Sequence, residues 1–131
     1  MFKSIGFHTD SRQVLVNLTN EVKAFVQETG VAEGICLVYC GHSTAGLVVN
    51  SYLDPKTPQD IVHELDRIVP TRVDFHHQFD TPSDASAHVK ATITGTHVSI
   101  IIHEGKLLLG HSQGILFAEF DGPRDRTIQV K

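Results

Sequence analysis

Hydrophobic residues recur at two distinct spacings along this chain, and each spacing predicts one kind of element. In several segments, apolar and polar residues alternate with the period of two that is typical of half-buried strands, or form short apolar runs. In three others, apolar residues return every three or four positions, as on one face of a helix. The first group predicts strands over residues 2–9, 13–18, 34–40, 45–50, 97–103, 106–110, 115–120 and 126–130.

The three helical segments carry recognisable start and stop signals. Hydroxyl side chains precede the periodic residues, and glycine or proline follows them. The predicted cap and terminator pairs are Thr19 with Gly30, Thr57 with Pro70, and Ser83 with Gly95, the third helix running to about residue 91. Because the strands cluster at both ends of the chain, the pattern indicates an α+β fold with a mostly antiparallel or mixed sheet.

Length and composition favour a single domain that covers residues 1–131. A hydrophobic content of 40% supports one real core in a chain of this size. No apolar run approaches the roughly 20 residues that span a bilayer, and the first residues lack the apolar region of a signal peptide. We therefore expect a cytoplasmic protein without a membrane partner.

Charge and cysteine content narrow the function classes further. A net charge of −4 without a basic run argues against a protein that binds nucleic-acid backbones. Cys36 and Cys40 fall on one predicted strand, about 13 Å apart at ~3.3 Å per residue, which is too far for a disulfide. We expect two buried free thiols.

The segment from Gly110 to Arg126 places charged residues within and just after an apolar strand. Glu119 is in register with Ile115 and Phe117, so its carboxylate needs a partner if it is buried. Asp121 lies on the same face, and the turn that follows lets an arginine fold back. The partner is therefore either an internal arginine or a ligand, and the sequence leaves both open.

Three further segments carry candidate chemistry. The turn at residues 41–46 holds Ser43 and Thr44, whose hydroxyls suit an anion or bond their own backbone. His88 lies in the middle of the third helix with Asp84 one turn away, a carboxylate that can fix the tautomer of a metal-ligating imidazole. His77 lies in a polar loop, where a histidine is either solvated or functional. The chain has nine histidines, so their placement matters.

Taken together, these segments resemble the YjbQ family of small bacterial and archaeal proteins from the first strand to Arg126. The family's H-T-T-A and N-A-x-A-H-x-K segments are similar to His42–Ala45 and Asp84–Lys90 here. Its L-x-L-G-T-W-Q and E-x-D-G-P-R-x-R segments are matched by Leu107, Leu109, Gly110, Gln113, Glu119, Asp121, Gly122, Pro123, Arg124 and Arg126. The chain departs from the family at Ser51, usually Glu, at Asp84, usually Asn, and at His111-Ser112, usually Thr-Trp.

The resemblance implies a homotrimer in which His42, His77 and His88 gather near a subunit boundary. Three neutral imidazoles with an open fourth position suit a divalent metal, zinc in particular. Members of the family are commonly named secondary thiamine-phosphate synthases, which implies a transferase acting on a phosphorylated small molecule.

The resemblance also implies roles for the other site residues. Glu119 would be a general acid/base or would orient a ligand, Gln113 would join the catalytic site, and Arg124 would clamp an anion. Ser43, Thr44, Lys90 and Arg126 would bind phosphate. A non-catalytic module that binds a metal or a metabolite is the alternative, and a hydrolase is also open.

Overall fold

The computed structural model describes all 131 residues, and its elements follow the two spacings seen in the sequence. The strands are β1 (Lys3–His8), β2 (Val14–Asn17), β3 (Gly34–Cys40), β4 (Ala45–Ser51), β5 (His97–His103), β6 (Lys106–Leu107), β7 (Gln113–Glu119) and β8 (Asp125–Val130). The helices are α1 (Thr19–Thr29), α2 (Lys56–Ile68) and α3 (Pro82–Thr94). The predicted α+β class is confirmed.

The strands form two antiparallel sheets. A five-stranded sheet has the order β1-β8-β3-β5-β6, and a three-stranded sheet has the order β2-β7-β4. The main core lies between the two sheets and α1, because alternate side chains of each strand face inwards. In β3, for example, Cys36, Val38 and Cys40 are buried, while the residues between them face outwards.

Both thiols are buried and free, as predicted. Burial raises the pKa of Cys36 and of Cys40 above the ordinary value for a thiol, so neither sulfur is a ready nucleophile. No helix has the length and apolar content that a membrane crossing requires.

The helix starts differ from the predicted ones, for a shared reason. The Asn17 and Asp54 side chains, each two residues ahead, accept the backbone N–H of Thr19 and of Lys56, so α1 begins one residue and α2 two residues before the predicted position. Thr81 caps α3 by accepting the Asp84 N–H at 3.2 Å, and the predicted Ser83 cap is wrong.

The two largest differences from the predicted bounds, three residues each, lie at the C-terminal ends of α3 and β6. Helix α3 continues to Thr94 before Gly95 ends it, three residues beyond the predicted end. The second arm of the hairpin pairs over Lys106–Leu107 alone, so the predicted strand at 106–110 is too long.

Candidate functional site

Two histidines and one aspartate converge beside the N-terminal half of α3. Asp84 and His88 are one helical turn apart, and His77 reaches them from the loop that precedes α3. The Asp84 Oδ2 atom lies 2.7 Å from His77 Nε2 and 3.2 Å from His88 Nε2. One ligand atom from each of the three residues lies within 4.8 Å of the other two. The two imidazole rings are 5.2 Å apart and nearly perpendicular.

The backbone of the turn between β3 and β4 orients His88. Its Nδ1 lies 3.2 Å from the carbonyl oxygen of Ser43, an acceptor, so Nδ1 carries the proton that it donates. Nε2 is then the nitrogen that faces Asp84 and His77. A metal-ligating histidine commonly donates the N–H of its other ring nitrogen to a backbone carbonyl in this way.

Asp84 is ionised at neutral pH. Burial on its own would raise the pKa of this carboxyl, but the hydrogen bond from His77 and the electrostatic interactions with His88 and His77 outweigh burial and hold the pKa below its ordinary value. The neighbouring Asp121 carboxyl has the opposite shift. Its burial, with the nearby charge of Asp84, raises its pKa despite the attraction of Arg124.

His42 lies beside this cluster but is not one of the three candidate ligands, so the predicted triad of histidines needs correction. Its Nε2 accepts the backbone N–H of Thr127 at 3.0 Å, which occupies the lone pair that a metal would use. Burial and the charge of Arg126 lower the pKa of His42, so the ring is neutral. Asp84 takes the third place in the cluster.

The partner of Glu119 is Arg126. Arg126 Nε donates to Glu119 Oε2 at 2.7 Å, and the two side chains are 3% and 0% exposed. Thr9 Oγ1 also donates to Oε2, at 2.9 Å, and the Asp121 N–H donates to Oε1. Burial opposes ionisation of Glu119, but the hydrogen bonds from Arg126, Asp121 and Thr9 outweigh burial and lower its pKa.

This network decides between the two roles predicted for Glu119. With every neighbour a donor and no exposure, the carboxylate cannot exchange a proton with a ligand, so a general acid/base role does not fit its position. The carboxylate instead orients Arg126, whose Nη2 also donates to Thr44 Oγ1 at 2.9 Å.

The cluster and Arg126 line one cavity of about 410 Å³. Arg124, Ser43 and Thr44, three of the residues predicted to bind a ligand, also lie on its wall, and Asp80 joins them from the loop before α3. No apolar residue lines this cavity. Asp80 is not predictable from the sequence, because a lone aspartate before a helix cap has no spacing that distinguishes it.

Two predicted site residues lie elsewhere. Lys90 is completely buried, and its Nζ donates to Asp66 Oδ1 and Gln13 Oε1, both at 2.7 Å, so it cannot reach a phosphate in the cavity. Gln113 begins β7, six residues from Glu119, and its side chain accepts the Gly110 N–H at 2.8 Å. It does not join the cavity of its own chain.

Comparison with known proteins relates this chain to a family described as UPF0047 protein YjbQ-like, whose model matches residues 3–131. The Bacillus subtilis UPF0047 protein YugU is 38% identical over 133 residues, which cover 100% of this chain and 98% of that protein. A UPF0047 protein of Methanocaldococcus jannaschii is 40% identical over 123 residues, covering 94% of this chain and 87% of that protein.

Solved structures show the same fold. A Clostridium acetobutylicum protein described as an uncharacterized conserved protein of this family superposes with a TM-score of 0.92 at 41% identity, covering 98% of each chain. A Sulfolobus solfataricus protein described as YbjQ-like and of unknown function superposes with a TM-score of 0.93 at 32% identity, covering 99% of this chain and 94% of that chain.

Proposed function

This chain belongs to the YjbQ-like UPF0047 family. We propose that it binds a divalent transition metal through His77, Asp84 and His88 and acts there on a phosphorylated small molecule. The observation that carries the proposal is the convergence of one ligand atom from each of these side chains within 4.8 Å.

The donor set fits a transition metal. Two imidazole nitrogens and one carboxylate oxygen are ligands that zinc and ferrous iron share, and they leave coordination positions open. Ligands about 2.0–2.1 Å from a tetrahedral zinc are roughly 3.4 Å apart. The Asp84–His77 and Asp84–His88 contacts of 2.7 and 3.2 Å are close to that spacing, so small side-chain movements would complete the site. We favour zinc.

Arg126 supports an anionic ligand next to the metal. Its Nε and Nη2 donate to Glu119 and Thr44, whereas no protein atom accepts a hydrogen bond from Nη1. Both N–H groups of Nη1 are therefore free. Because the side chain is only 3% exposed and lines the cavity, they are available to a phosphate oxygen that enters it. Arg124 and Ser43 would add further donors.

The reaction that the family resemblance implies is formation of thiamine phosphate. A pyrimidine methyl diphosphate would join a thiazole phosphate and release pyrophosphate. A bound metal would supply Lewis-acid stabilisation of the charge that develops on phosphate oxygens. Arg126 and Arg124 would hold the leaving diphosphate, and Glu119 would keep the Arg126 guanidinium in place.

A non-catalytic module for a metal or a phosphorylated metabolite is the second candidate. The observation that favours it is the state of the buried carboxylates. Asp84 is engaged by two histidines and Glu119 by Arg126, so neither is free to serve as a general base.

A homotrimer and a cytoplasmic location are part of the same proposal. The outer face of the five-stranded sheet exposes Ile35, Leu37, Tyr39 and Ile101, an apolar surface of the kind that subunits cover. A Cβ placed at Gly41, which lines the cavity, would lie 3.6 Å from the Tyr39 ring, so this face borders the cavity. Two reduced thiols are typical of cytoplasmic proteins.

Metal analysis tests the site before any reaction is assumed. Elemental analysis and calorimetric titration with Zn²⁺ should give one ion per chain. Asp84→Asn and His88→Ala should each weaken zinc binding by more than tenfold, while His97→Ala, an exposed histidine outside the cavity, should not. A wild-type protein without zinc affinity, or equal losses in all three variants, would refute the site.

Mass spectrometry separates the two functions. The zinc-loaded protein, mixed with the pyrimidine diphosphate and the thiazole phosphate, should yield thiamine phosphate and pyrophosphate, and Arg126→Gln should reduce the yield. Recovery of both compounds unchanged, with saturable binding, would favour the binding module over the transferase.

A further inference from the structure

A second and larger cavity lies on the far side of the three-stranded sheet. This groove has a volume of about 720 Å³ and is lined by residues of both α2 and β2. Val14, Val62 and Leu116 form apolar parts of its wall, and it shares no residue with the histidine cavity. Its volume falls within the range of about 300–1,000 Å³ that small-molecule sites occupy.

Helix α2 leaves this groove open because it packs loosely. Its apolar residues Ile61, Val62 and Leu65 lie on one face, yet no residue of α2 is fully buried. The apolar face of α2 is therefore partly in contact with water. A ligand that covers this surface gains binding energy, because it removes apolar area from water.

The edge of β2 supplies main-chain hydrogen-bonding groups to the groove. Strand β2 is an edge strand that pairs only with β7. The Leu18 N–H donates to the Ile115 carbonyl, so Leu18, Val16 and Val14 are the residues that bond towards β7. By the alternation of an antiparallel ladder, the N–H and C=O groups of Leu15 and Asn17 face the opposite side, and both residues line the groove.

The charge of the groove is positive. Asp66 is the one carboxylate on its wall, and the buried Lys90 ammonium neutralises it. Arg12 is the remaining charged side chain of fixed sign on the wall, and Nη1 contacts only the hydroxyls of Thr71 and Ser83, at 3.4 and 3.3 Å. Arg12 helps to lower the pKa of Asp66, after the hydrogen bond from Lys90, which is the largest cause, but no carboxylate lies within ion-pair distance of its guanidinium, so Arg12 can still pair with an anion.

We propose that this groove binds a small amphipathic carboxylate, whose apolar body contacts Val14, Val62 and Leu116 and whose carboxylate meets Arg12. The free N–H groups of Leu15 and Asn17 are further donors. A small molecule fits better than an added peptide strand, because α2 lies beside the edge that such a strand would need to approach. The proposal does not depend on the metal site.

Two matched probes test it: 2-naphthylacetate and its neutral amide, 2-naphthylacetamide, each titrated into ¹⁵N-labelled full-length protein and followed by NMR. Both should shift the amides of Leu15, Asn17 and Val62 in a saturable way, and the carboxylate should bind more tightly. Arg12→Gln should weaken the carboxylate about fivefold, as expected for one partly exposed ion pair, and should change the amide by less than about twofold.

The control variant is Arg72→Gln, an exposed arginine outside the groove that pairs with Asp74. It should leave both affinities unchanged. Three results would each overturn the proposal: shifts confined to other surfaces, equal affinity of the two probes, or equal losses in the two arginine variants. Light scattering completes the test, because a probe that binds the groove and splits an oligomer would identify the groove as a contact between copies.

Discussion

Replacement of Glu119 by Gln should remove a large share of the folding free energy, because it leaves a buried charge without its counter-charge. Gln has nearly the same shape as Glu, so packing against Thr9 and Arg126 is preserved. The Arg126 guanidinium stays 3% exposed and loses the carboxylate that accepts from its Nε and Nη2 atoms. The change therefore isolates the charge from the volume of the side chain.

The magnitude follows from the burial of the pair. Removal of one partner of a buried ion pair costs about 3–5 kcal/mol. An unfolding entropy of about 2.1 cal/mol/K per residue gives about 0.28 kcal/mol/K for 131 residues, so Tm should fall by roughly 11–18 °C. That loss is a large part of the 5–15 kcal/mol that stabilises a typical domain. A wild-type stability of about 5 kcal/mol would leave the variant with only about 0–2 kcal/mol.

The assay is thermal and urea unfolding followed by circular dichroism, at one protein concentration so that any oligomer equilibrium is held constant. The control is Glu64→Gln, which removes a carboxylate from the exposed pair with Arg67, where the side chains are 53% and 69% exposed. That pair should contribute less than about 1 kcal/mol. A Glu119→Gln Tm within about 4 °C of the control would refute the reasoning.

Two further predictions concern pH and packing. Because the pKa of Glu119 is lowered in the folded state, its stabilisation is present above the ordinary pKa of 4.5 and is lost as the pH falls through the lower folded pKa. In urea unfolding between pH 7 and 3, the unfolding free energies of wild type and Glu119→Gln should therefore converge at low pH. A difference that stays constant with pH would contradict this. Gly46→Ala places a Cβ 2.1 Å from Thr94 Oγ1 and 2.7 Å from the Gly95 oxygen, so it should lower the free energy of unfolding in urea by about 1–3 kcal/mol. The control is Gly6→Ala, whose added Cβ has its nearest atom 3.9 Å away and should cost less. Equal costs for the two variants would show that α3 moves freely.

The sequence predicted elements better than it predicted their ends. Apolar spacing located eight strands and three helices, because spacing records which side chains face the core. Helix starts were less certain, since several hydroxyl and carboxylate side chains near one start compete for the same backbone N–H groups. For this reason, Thr81 rather than Ser83 caps the N-terminus of α3.

The sequence also indicated some of the contacts that polar side chains make. Glu119 follows apolar residues at strand spacing, and this alone required a buried partner. His88 and Asp84, one helical turn apart, lie on one face of α3 as their spacing predicts, with a Nε2–Oδ2 distance of 3.2 Å. The Ser43 carbonyl rather than Asp84 accepts from His88 Nδ1, so the tautomer-fixing role predicted for Asp84 belongs to Ser43. Such inferences succeed when the two residues are linked by a regular element whose geometry is known in advance.

Tertiary structure alone decided which distant residues meet. His77 lies in a loop without a period, so only folding could bring it within 2.7 Å of Asp84. Arg126 rather than Arg124 reaches Glu119, and Lys90 pairs with Asp66 instead of facing the cavity. Spacing along a chain specifies the face on which a side chain lies, whereas the contacts of that face depend on how the sheets and helices pack, and no local pattern records that packing.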